Sequence, residues 1–132
     1  MKRSAASLLC MVFCAMSLIS CDQREEASNS AALAKRATEF VELLASGNFT
    51  SAATHCDNNM RQGMPPEKLQ EAWGGLIGTL GAFQKQAGVR TATEQGYDVA
   101  YVTCEFAKGT MAVKVVFNRD RQVSGLWFVP PQ

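Results

Sequence analysis

The stretch that decides the fold is residues 97–129, YDVAYVTCEFAKGTMAVKVVFNRDRQVSGLWFV. Three runs rich in Val, Tyr, Phe and Trp (97–106, 111–117 and 123–129) alternate with short polar breaks, the pattern of an antiparallel meander. Lys108-Gly109 is expected as a two-residue hairpin turn, with the glycine supplying a positive φ, and residues 118–122 as the next turn. Pro130-Pro131 stops the last strand. With the turn at Lys108-Gly109, Phe106 pairs with Met111, Cys104 with Val113, Val102 with Val115 and Ala100 with Phe117. Directly paired residues share a face, and every member of this one is apolar. Leu126 and Phe128 join it beside Val115 and Val113. The opposite face holds Tyr97, Val99, Tyr101, Thr103, Glu105, Lys114, Val116 and Trp127. One side of the sheet is a core, and the other is mixed with aromatics at its centre.

Helices supply the layer that covers the apolar side. Leu33, Ala37, Phe40, Val41 and Leu44 recur at helical spacing, with Asn29 or Ser30 placed to cap the start and Gly47 to end it. A second, shorter helix capped by Asn48 carries the stripe Phe49, Ala52, Ala53, Cys56 and Met60. Pro65-Pro66 opens a third, with Leu69, Ala72, Trp73, Leu76, Ile77 and Leu80 on one face. Gly74, Gly75 and Gly78 within it are costly for a helix, so a sheet packed close to the backbone is expected there. Residues 83–93 form a weakly patterned first strand. The fold class is α+β, with three N-terminal helices packed on a curved antiparallel sheet of three to four strands.

The N-terminus reads as an address. Met1-Lys2-Arg3 is cationic, and the uncharged run 5–20 is too short for the ~20 residues that span a bilayer. Leu18-Ile19-Ser20-Cys21 resembles the lipobox of bacterial lipoproteins, an aliphatic residue and small residues before a cysteine. That resemblance implies cleavage before Cys21 and attachment of a diacylglycerol to its thiol, which anchors the chain in the bacterial cell membrane and faces the domain to the periplasm or exterior. Asp22 at the next position resembles the enteric signal for retention in the inner membrane. Residues 21–30 are polar and read as a tether, which leaves a single domain at 31–130.

Composition narrows the function classes. The chain has 132 residues, 47% of them hydrophobic and 8% aromatic, with a net charge of +1. Without Lys2 and Arg3 the 13 basic residues become 11 against 12 acidic ones, so the mature chain is near −1. Such a balance argues against nucleic acid as a partner. A mean hydropathy near zero argues against disorder and against a polytopic membrane protein.

Three helices followed by a curved meander resemble the cone-shaped folds of the nuclear transport factor 2-like and cystatin-like kind. The details that narrow the resemblance run along the chain: Phe40 with Gly47 and Phe49, Trp73 with Leu80-Gly81-Ala82-Phe83, Gly96-Tyr97-Asp98-Val99, Glu105-Phe106, Gly109 and Gly125-Leu126-Trp127-Phe128. Their order is similar to that of a bacterial domain-of-unknown-function family, number 3887, often fused ahead of an α/β-hydrolase. The resemblance implies a fold and no catalytic residues. The chain itself holds no Gly-x-Ser-x-Gly elbow.

Candidate chemistry is sparse. Cys10 and Cys14 fall in the leader, which leaves Cys56 and Cys104 pointing into one core as a candidate disulfide or as two separate buried thiols. His55, the single histidine, falls off the apolar stripe. Asp57 and Tyr97 sit near element ends, where they cap elements or line a cavity mouth. No phosphate loop, cofactor motif or metal-ligand cluster is seen. Tyr101, Lys114, Val116 and Trp127 form a candidate interaction surface, with Lys114 placed for a cation–π contact with Trp127. The expected function is a membrane-anchored, non-enzymatic binding domain whose partner is a second copy, an envelope protein or a small apolar ligand. The alternative is a cavity enzyme or hydrolase-accessory domain of the isomerase or dehydratase kind.

Overall fold

The structure, a computed structural model, describes residues 22–131. Cys21 and the leader therefore lie outside the described residues. Four helices come first, α1 (Asp22–Ala45), α2 (Phe49–Thr54), α3 (Asn58–Gly63) and α4 (Pro66–Leu80). Four strands follow, β1 (Phe83–Glu94), β2 (Tyr97–Phe106), β3 (Gly109–Phe117) and β4 (Val123–Val129), in one open antiparallel sheet of order β1-β2-β3-β4. The class is α+β, with the helices against one face.

The stripe of α1 is buried as its spacing requires: Leu33, Ala37, Phe40, Val41 and Leu44 are each at most 2% exposed. The helix starts well before the expected caps, so the stretch read as a tether is helical from Asp22 onward. Its Glu, Arg, Gln and Ala residues are good or tolerable helix formers, and a helix nucleated by the packed turns downstream propagates through them at little cost. Ser30 does not cap it. Its hydroxyl hydrogen-bonds instead to that of Thr91 on β1. Gly47, at φ +80°, closes the C-terminus, with the Asn48 N–H donating to the Leu43 carbonyl at 2.8 Å.

The expected second helix is two. α2 stops at Thr54, and Asp57 starts α3 by accepting the Met60 N–H on its side chain at 2.8 Å. Between them Cys56 makes a parallel bridge to Val123: the Val123 N–H donates to the His55 carbonyl at 2.7 Å, and the Asp57 N–H to the Val123 carbonyl at 2.9 Å. Backbone pairing with β4 thus wins over continued helix. The apolar stripe is kept, since Ala52, Ala53, Cys56 and Met60 are all buried.

On α4, Leu69, Trp73 and Leu76 are buried. Trp73 gathers Phe83, Phe106 and Phe128 around it, at centroid distances of 5.8, 5.9 and 6.3 Å. Such tilted aromatic contacts add to what burial alone contributes. No backbone approaches the three helix glycines: a Cβ at Gly74, Gly75 or Gly78 would meet nothing within 4 Å, and all three are exposed. The close packing expected there occurs at Gly109, whose Cβ would meet Leu80 at 3.3 Å, and at Gly81, at φ +82°, against Ala107 at 2.9 Å.

The β2–β3 turn falls one residue earlier than expected, which slips the pairing by two. Phe106 pairs with Gly109, Cys104 with Met111, Val102 with Val113 and Ala100 with Val115. The turn residues are Ala107 and Lys108, whose N–H groups donate to the Ala82 and Leu80 carbonyls at 2.9 and 2.7 Å. Anchoring to the α4–β1 connection, with no positive φ at Gly109, sets the turn. Because side chains alternate with period two, a slip of two leaves every residue on its expected face. Val113 opposite Phe128 and Val115 opposite Leu126 are as expected. β1 is weakly patterned because register shifts at 83–85 and 86–88 break its alternation. Its turn into β2, Gln95-Gly96, takes positive φ at both residues, the geometry that suits a two-residue hairpin.

Replacing Gly74, Gly75 or Gly78 with alanine is expected to stabilise the domain by about 0.5–1 kcal/mol each. Denaturant unfolding checks this; a loss of stability would show that the exposed face of α4 is covered.

Candidate binding site on the open sheet face

The register places one residue from each strand in a row across the open face: Arg90, Tyr101, Lys114 and Trp127. The next row is Ala92, Val99, Val116 and Gly125. The slip in the hairpin therefore sets Tyr101 opposite Lys114, while Val116 lies opposite Val99. Lys114 Nζ sits between two rings, 5.7 Å from the Tyr101 centroid and 5.8 Å from that of Trp127. Arg90 lies over the Tyr101 ring at 4.4 Å. The Tyr101 hydroxyl donates to Glu94 Oε2 at 2.5 Å, and the same oxygen is 3.7 Å from Lys114 Nζ. Tyr101 is consequently only 7% exposed. Of the residues expected at the surface it is the buried one, packed under Arg90 and tied to Glu94. Its neighbour Trp127 is 53% exposed and Tyr97 54%, while Lys114 and Val116 are half-buried.

Trp127 keeps its place through Gly125. A Cβ at that glycine would fall 2.3 Å from Cζ3 and 2.5 Å from Cη2 of the indole, so the ring lies flat over the strand where a side chain would stand. The ring edges a groove of about 700 Å³, within the range of small-ligand sites. The groove is closed by the Gln95 turn and Tyr97 at one wall and by Asp57 and Asn59 of the α3 start at another. Asn118 holds the remaining corner: its Oδ1 accepts from the Asp120 and Gln122 N–H groups, and its Nδ2 donates to Asp57 Oδ2 at 3.4 Å.

Asp57 and Tyr97 thus line a cavity together, on the open face and not between helices and sheet. Glu94, Gln95 and Asn59 escaped the sequence reading. The Gln95-Gly96 pair was the signal for the first two, since a two-residue turn there puts Glu94 opposite Tyr97. His55 is half-buried and contributes its carbonyl. Among the described residues no cluster of three or more His, Cys, Asp or Glu side chains is placed to hold a metal ion.

The helix-facing side is apolar in contrast. No polar or charged side chain is buried among the described residues. Cys56 and Cys104 are fully buried in this core as free thiols, 3.7 Å from the Ala52 carbonyl and 3.6 Å from that of Val102. Burial pushes the Cys56 thiol from the usual 9.0 up to about 11, with the Asp57 charge adding to it, and the Cys104 thiol up to about 12. Above pH 9 the unfolded thiols ionise while the native ones stay protonated, so the native state loses stability as pH rises through that window and loses none to them below it. The fall in denaturation midpoint between about pH 8 and pH 10 is expected to shrink in a Cys56→Ala, Cys104→Ala variant. An equal fall in both proteins would place the thiols in contact with water.

Comparison with known proteins adds three findings. Residues 37–126 match the family described as a protein of unknown function, DUF3887. Esterase EstD of Thermotoga maritima is 30% identical over 89 residues, which cover 67% of this chain and 22% of that protein. The chain thus matches under a quarter of its curated relative's length. No solved structure matches the chain significantly. The match covers well over half of the chain, from within α1 to within β4, and the chain belongs to the DUF3887 family of proteins of unknown function.

Proposed function

We propose that the protein is a lipid-anchored component of the bacterial cell envelope whose domain, a cone of the nuclear transport factor 2-like kind, acts as a binding module through the open face of its sheet. The observation that carries the binding reading is the division of the molecule into two unlike sides. The helix-facing side is filled by apolar residues, and among the described residues the buried ionisable groups on it are two protonated thiols, little material for acid–base work. The open face offers a groove with two half-exposed aromatic rings at its rim, the features expected of a recognition surface.

The anchor reading rests on the Leu18-Ile19-Ser20-Cys21 pattern and the short uncharged run before it. No described helix is long and apolar enough to cross a membrane. In this reading α1 begins at the residue after the acylated cysteine, and its exposed first turns, beside Arg121 of the β3–β4 turn, join the anchor directly to the domain. Asp22 favours the inner membrane where enteric sorting operates. The match to part of an esterase supports a narrower form of the same function, a module that serves beside a hydrolase.

Cys21→Ala is expected to abolish incorporation of a palmitate analogue and to release the protein from washed membranes. A variant that stays membrane-bound without the label would show that the apolar leader itself is the anchor.

A further inference from the structure

The groove beside Trp127 has a composition that selects a class of ligand. Its rim carries the exposed faces of Trp127 and Tyr97, and its walls carry amides and carboxylates, Asn59, Gln95, Asp57 and Glu94. The single cation lining it, Lys114, is engaged by Glu94 at 3.7 Å. With two carboxylates and one tied ammonium, the groove does not attract phosphates or other polyanions. Its polar walls do not suit a purely apolar ligand, whose burial would desolvate them without replacement hydrogen bonds. It opens on the side-chain face of the sheet, and the start of β4, its nearest edge strand, is already bridged by Cys56.

A molecule that matches these walls has one flat apolar face for the indole and a rim of hydroxyls for the amides and carboxylates. A pyranose ring meets that description. Its axial C–H groups carry partial positive charge that the negative face of an aromatic ring attracts, and its hydroxyls both donate and accept. We propose that the groove binds a carbohydrate chain, with a sugar ring stacked on Trp127 and its hydroxyls held by Asn59, Gln95 and Asp57. The proposal rests on the reading of the open face as the binding surface and specifies what that surface takes. Gly125 is a positioning residue in it, because a side chain there lifts the indole off the strand.

Full-length protein, held in a detergent with no sugar headgroup, is titrated calorimetrically with chitotriose, cellotriose and maltotriose, and is sedimented with purified peptidoglycan sacculi. Saturable binding is expected to at least one of these four. Trp127→Ala is expected to weaken it at least about tenfold, with partial retention in Trp127→Phe. Gly125→Ala is expected to weaken it while the fold, followed by circular dichroism, stays intact. Where Trp127→Ala fails to fold, Asn59→Ala with Gln95→Ala makes the same test at exposed positions. Trisaccharide binding alone identifies free sugar as the source, and binding to sacculi identifies the envelope polymer. Absence of binding to all four, or binding that these substitutions leave unchanged, overturns the proposal. Self-association that Trp127→Ala dissolves, without any sugar binding, also overturns it and leaves the open face standing as a binding surface for a second copy.

Discussion

Everything in this domain depends on the exclusion of polar side chains from the helix-facing side of β2 and β3. Ala100, Val102 and Cys104 on one strand and Val113, Val115 and Phe117 on the other are at most 1% exposed. Against them lie Phe40, Val41 and Leu44 of α1 and Leu69 and Trp73 of α4, in one continuous core. Trimming a large member of such a core costs about 3–5 kcal/mol, a large part of the stability of a domain this size. The proposed binding role accordingly uses the other side of the same strands, where the groove opens.

A second constraint shapes the place where function goes. The main-chain exchange between His55, Asp57 and Val123 breaks the second helix in two and ties the break to the edge of the sheet. The start of α3 is then held beside the β3–β4 turn, where Asn118 receives Asp57. One backbone bridge therefore supplies a wall of the groove. The other wall comes from the Gln95-Gly96 hairpin, and the floor from Val99, Lys114 and Val116 on β2 and β3. The groove is built from turns, strand faces and a helix start, which explains its mixed character.

The sequence made the layers legible because apolar periodicity alone determines which residues face inward. The all-apolar face of the hairpin was correct in membership even though the turn lies one residue earlier and the pairing slips by two, since an even slip preserves faces. Pairing was another matter. Which residue stands opposite Tyr101 is set by hydrogen bonds from Ala107 and Lys108 to the α4–β1 connection, a long-range contact with no local signature. The split at Cys56 was hidden for the same reason, because the stripe Ala52, Ala53, Cys56 and Met60 reads as continuous helix until Val123 is placed beside it. The extension of α1 over residues 22–30 was hidden by polarity, which marks exposure and not irregularity. Of the site, Lys114, Val116 and Trp127 were read as neighbours from alternation, while Glu94, Gln95 and Asn59 reach it through turns and a helix start.

The central claim is that the Trp127 face works and the helix-facing side only packs. Hydroxyl-radical footprinting of the full-length protein in native envelope membranes, set against the purified protein, tests it most directly. The account predicts that Trp127 and Tyr97 are labelled more slowly in the envelope while exposed Val89 on β1 is labelled at the same rate in both. Equal labelling of Trp127 in the two states would contradict it.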